Sequence, residues 1–85
     1  MGLLYIPINN AQMTVEVFKT NVSTRRYANT LLKLIHKAFT HYHANFDLDD
    51  CDKILRVQCN QGTVKSEALM LFLKDFGCHA EALPD

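Results

Sequence analysis

The segment from Arg25 to His43, RRYANTLLKLIHKAFTHYH, constrains this chain more than any other stretch. Ala28, Leu31, Leu32, Ile35, Ala38, Phe39 and Tyr42 recur there at intervals of three and four. On a helix that spacing forms one apolar face, which has to be laid against another apolar surface. A chain of 85 residues has room for a single core, so the cover must come from the short segments on either side.

Those segments alternate with period two. In Thr14 to Lys19, Val15 and Val17 fall on one side and Thr14, Glu16 and Phe18 on the other, as in a half-buried strand. Ser23 or Thr24 is a natural N-cap for the long helix, which is expected to end near His43 with Lys37, His41 and His43 at the negative end of its dipole. Ala44 to Leu48 and Ile54 to Cys59 read as the two arms of a hairpin around the polar Asp49–Lys53 turn. Thr63 is placed to cap a second helix with Val64, Ala68, Leu69, Phe72, Leu73 and Phe76 as its apolar stripe. Gly77 stands where a left-handed C-cap is cheap, and Cys78 to Leu83 forms a last short strand before Pro84.

The order β-α-β-β-α-β is that of the ferredoxin-like α+β sandwich. Right-handed crossovers then dictate a four-stranded antiparallel sheet in the order 4-1-3-2, with both helices on one face. The opposite face is expected to be open, with Phe18 on it. Residues 13–85 read as this domain and residues 1–12, MGLLYIPINNAQ, as an extension. Its apolar Leu3, Leu4, Tyr5 and Ile6 need something to cover: either their own domain, on which the arm would lie, or a second copy of the chain, with which an added strand or arm would build a dimer.

Charge narrows the function classes. Nine basic and nine acidic residues give a formal net charge of zero, so no overall field draws the protein to nucleic acid or to an anionic membrane. Yet Glu16 is the only acid against Lys19, Arg25, Arg26, Lys33 and Lys37 in residues 1–42, leaving the second half correspondingly negative. Folding turns that asymmetry into oppositely charged surfaces, which suits self-association. Cys51, Cys59 and Cys78 are odd in number without a CxxC pair, which points to a reducing, cytoplasmic setting, with Cys59 and Cys78 as small buried hydrophobes. No stretch is apolar enough for a membrane span, and Gly2 to Ile8 lacks the pattern of a secretory leader.

Through TVEVFKTNV, NFDLDDCDKILRV and DFGCHAEALPD, residues 14–85 resemble the small heavy-metal-associated domains, and more closely short bacterial proteins of that superfamily without the metal motif. In that family the loop after the first strand carries Met-x-Cys-x-x-Cys, whose thiolates hold a soft ion such as Cu(I). Here the loop reads Lys19-Thr20-Asn21-Val22-Ser23-Thr24-Arg25, without a cysteine. The resemblance thus implies the fold and removes the metal function. A noncanonical Zn or Cu site is the rival reading, with His41, His43 and Cys51 as ligands, provided that the helix ends before His43.

Other chemistries fail on particular residues. The run Asp47, Asp49, Asp50, Asp52 departs from the EF-hand pattern, with Cys51, Asp52 and Gln58 at the fifth, glycine and final positions. Gly2, Gly62 and Gly77 are the only glycines, too few and too scattered for a phosphate loop or for the glycine-containing cradle of acylphosphatases, despite Arg25 and Arg26 nearby. Cys51, between Asp50 and Asp52, is poorly placed as a nucleophile. The third strand has no aromatic residue on which an RNA base can stack. A non-catalytic, cofactor-free interaction module is expected, one that self-associates through the open sheet face, an edge strand or the Leu3–Ile6 arm.

Overall fold

A computed structural model describes residues 14–84. The elements are β1 (Thr14–Thr20), α1 (Arg25–Ala38), β2 (Tyr42–Asp47), β3 (Ile54–Cys59), α2 (Ser66–Lys74) and β4 (Ala80–Ala82). The four strands form one antiparallel sheet in the order β2-β3-β1-β4, which is the expected 4-1-3-2 counted from the other edge. α1 packs against β2 and α2 against β4, and buried residues from both helices join one core.

The rows of that core follow from the strand register. Phe46, Leu55 and Phe18 stand side by side across β2, β3 and β1, and Ala44 and Val57 form the next row. Onto them α1 lowers Ala28, Leu31 and Ile35, and α2 lowers Leu69 and Leu73. At roughly 25 cal/mol per Å² of apolar surface removed from water, these contacts supply most of the driving force.

Phe18 corrects the sequence reading. It lies in the core with no exposed surface, while Val15 on the other side is 42% exposed. The alternation of β1 is as expected but its faces are exchanged. A phenyl ring loses more by exposure than a valine, and Thr20, on the same side as Phe18, pays nothing for being buried because its hydroxyl is satisfied. That hydroxyl donates to the Lys53 carbonyl at 2.6 Å and accepts from the Val22 N–H at 3.1 Å.

The helix boundaries also shift. α1 ends at Ala38, not near His43, and Phe39 leaves helical geometry with φ −123°. Its ring lies parallel on Tyr42 at 4.9 Å and edge-on to Phe72 at 5.3 Å. Tyr42, Ala44 and Phe46 are all buried, so the period-two pattern begins two residues earlier and takes Tyr42 out of the helix. The N-cap of α1 is Thr24, whose hydroxyl accepts from the Tyr27 N–H at 3.2 Å. α2 starts at Ser66 with Lys65 as N-cap and no side-chain cap, whereas Thr63 was expected there; Val64 is instead drawn down into the core.

α2 stops as its sequence demands. Gly77 adopts φ +81°, and the Cys78 and Gly77 N–H groups bond back to the Leu73 and Lys74 carbonyls, both at 3.0 Å. That is the paired closure of a left-handed C-cap. Phe76, expected in the buried stripe, lies beyond the last helical turn and is 42% exposed.

Candidate functional site

The side of the sheet away from the helices carries a mixed surface. His43, Gln58 and Val15 align across it, as do Asn45, Arg56 and Val17. Asp47 faces Ile54 and Lys19 faces Glu81. Val15 and Val17 therefore stand beside the polar stems of Gln58 and Arg56, between cations at Arg56 and Lys19 and anions at Asp47 and Glu81. No described helix or loop has its residues in these rows. Phe18, expected to anchor this face, points the other way; Val15 and Val17 take its place, and only the register of β1 reveals it.

The three candidate metal ligands are not brought together. His41 lies in the turn before β2, His43 within β2 on the open face, and Cys51 in the turn after it. The six residues of β2 span about 20 Å at 3.3 Å each, which separates His41 from Cys51 far beyond any coordination distance. The early end of α1 meets the condition set for this site, yet it carries His43 onto a strand that runs away from His41. Cys51 instead sits with the carboxylates of Asp50 and Asp52. Asp50 is engaged there in holding the turn, since its Oδ1 accepts the Asp52 N–H at 2.8 Å.

The loop that would hold metal in a heavy-metal-associated domain is filled from within. Val22 is fully buried, Thr20 is bonded to Lys53, and Asn21 Oδ1 accepts the His79 N–H at 2.8 Å. A recess of about 150 Å³ remains between Lys19, Asn21, His79 and Glu81. At the other end of the sheet a larger one, of about 390 Å³, opens between Phe39, His41, Tyr42, Gln61 and Lys65. The Tyr42 hydroxyl at its wall already accepts the Lys65 N–H at 2.7 Å.

Comparison with protein families, with curated proteins and with solved structures finds no match. The site is therefore read from its own chemistry. No described helix is long and apolar enough to cross a membrane. Cys59 and Cys78 are buried and Cys51 is exposed. Burial pushes the Cys78 thiol up to about 11, which makes it inert at neutral pH. Leu3, Leu4, Tyr5 and Ile6 lie outside the described residues.

Proposed function

We propose that this protein is a small non-catalytic interaction module whose open sheet face docks on a second copy of itself. The observation that carries the reading is an exposed Val15 and a half-buried Val17 beside two cations and two anions on the face away from the helices, whose rows no other described element enters. Equal numbers of opposite charges let one such face meet another without like-charge conflict, which favours a symmetric pair. Part of the same proposal is a ferredoxin-like assignment and kinship with heavy-metal-associated domains that have lost the thiolate pair. The strand order and the cysteine-free β1–α1 loop support it.

Sedimentation equilibrium of the full chain, with and without residues 1–12, tests this reading. A dimer that persists without residues 1–12 and dissociates on Val17→Lys is expected. A full-length chain that remains monomeric at the highest attainable concentration overturns it.

A further inference from the structure

Among the described strands β2 is at an edge of the sheet, and two of its outward backbone groups are held by side chains of α1. The Ala44 N–H donates to His36 Nε2 at 3.0 Å, and Arg25 Nη2 reaches the Phe46 carbonyl at 3.4 Å. The Tyr42 N–H is taken by the Phe39 carbonyl at 3.0 Å. Tyr42, Ala44 and Phe46 are alternate residues, which is the set that points away from β3 in an antiparallel pair. His36 and Arg25 are both exposed, so their reach to this edge is not forced by burial. An edge strand without such cover is a template for another strand.

We propose that β2 is a concealed pairing edge for the β2 of a second copy, and that His36 and Arg25 are its guards. A two-fold axis through Asn45 pairs Ala44 with the second copy's Phe46. In that register Ala44 and the second copy's Phe46 exchange both N–H···O=C bonds, and the guards hold the two ends of one of them, the Ala44 N–H and the Phe46 carbonyl. His43 then faces Asp47 across the axis on each side, an imidazole against a carboxylate. The Ala44 N–H has one proton to give, so guard and second strand exclude one another. Closure by α1 keeps the sheet at four strands and leaves the open face as the surface presented to partners.

Asn45 meets its own copy in a pair without hydrogen bonds, where Cα atoms lie about 4.5 Å apart. That separation falls inside the disulfide range of about 4.4–6.8 Å. The test follows Asn45→Cys cross-linking under oxidation in a Cys51→Ser background, using the full chain. With the guards in place cross-linking is expected to be slow. His36→Ala together with Arg25→Ala is expected to speed it by about tenfold or more, from two lost competing bonds. Should circular dichroism show that the double variant is not folded, His36→Ala alone carries the test. Ala44→Pro, which removes the contested N–H at an edge where proline is tolerated, is expected to abolish the gain.

Equal rates with and without the guards overturn the proposal, and so does a gain that survives Ala44→Pro. Val17→Lys separates this edge from the face-to-face dimer: it dissolves the latter and leaves guard-dependent cross-linking intact.

Discussion

The Tyr27 hydroxyl donates to the Phe76 carbonyl at 2.6 Å, across 49 positions of the chain. It fastens α1 to the turn that follows α2, next to Gly77 in its left-handed conformation. A Cβ on Gly77 would come within 3.3 Å of the same hydroxyl. Tyr27→Phe is expected to cost about 1 kcal/mol for the lost bond. Gly77→Ala is expected to cost about 1 kcal/mol or more, because alanine is strained at this φ. The two changes meet at one atom, so urea unfolding of the double variant should depart from additivity.

The exchanged faces of β1 have a direct thermodynamic signature. Phe18→Ala is expected to lose about 3–5 kcal/mol, the range for emptying a buried phenyl site, whereas Val15→Ala should change stability by no more than about 0.5 kcal/mol. A larger loss from Val15→Ala than from Phe18→Ala would mean that Val15, not Phe18, faces the helices.

Thr20 joins the end of β1 to the β2–β3 turn through its hydroxyl and through its N–H, which donates to the Asp52 carbonyl at 3.0 Å. Thr20→Val keeps the shape but strands the buried Val22 N–H that now bonds to the hydroxyl. Thermal unfolding should show a loss of about 1–3 kcal/mol, with amide exchange quickened at Val22.

Alkaline pH should weaken the fold. The Cys78 thiol has an ordinary value of 9.0 and is held by burial at about 11, so the unfolded chain releases this proton first. The contribution of the neutral thiol is complete below about pH 9 and is lost as pH rises towards 11, at up to about 1.4 kcal/mol per pH unit. Tyr27, raised by burial and then by the charge of Cys78, acts in the same direction at higher pH. Urea titrations across this range should show a slope that flattens in Cys78→Ala.

Thiol labelling should separate the cysteines. Cys51 is exposed while Cys59 and Cys78 are buried, so one equivalent of alkylating agent is expected to react quickly at neutral pH and two only on unfolding. Zinc titration of His41→Ala and Cys51→Ser should reveal no shared site, since β2 holds the two residues apart. A joint loss of stoichiometric binding would contradict that geometry.

Much of the fold was legible from local chemistry. The stripe on α1, the alternation in β3 and the glycine after α2 each record a period or a backbone constraint that the residues themselves carry, and the element order then dictates the strand order. What the pattern leaves open is which side of a strand turns inward, because period two specifies alternation without direction. The side was decided for β1 by the fit of Phe18 between Leu55 and the helices. The end of α1 was likewise a contest between a helical stripe and a strand, both of which Tyr42 satisfies; stacking on Phe39 and burial beside Cys59 settled it for the strand. With that boundary moved, His41 and His43 passed from a helix end to a turn and an open face. The reach of His36 and Arg25 to the backbone of β2 exists only in three dimensions, since it depends on α1 lying along an edge whose free groups alternate in step with it. Sequence alone thus determined the periods, the left-handed C-cap at Gly77 and the order of the strands. Tertiary packing decided the facing of β1, the end of α1 and the closing of the β2 edge, because each is a choice between local solutions of similar cost that only the assembled core tells apart.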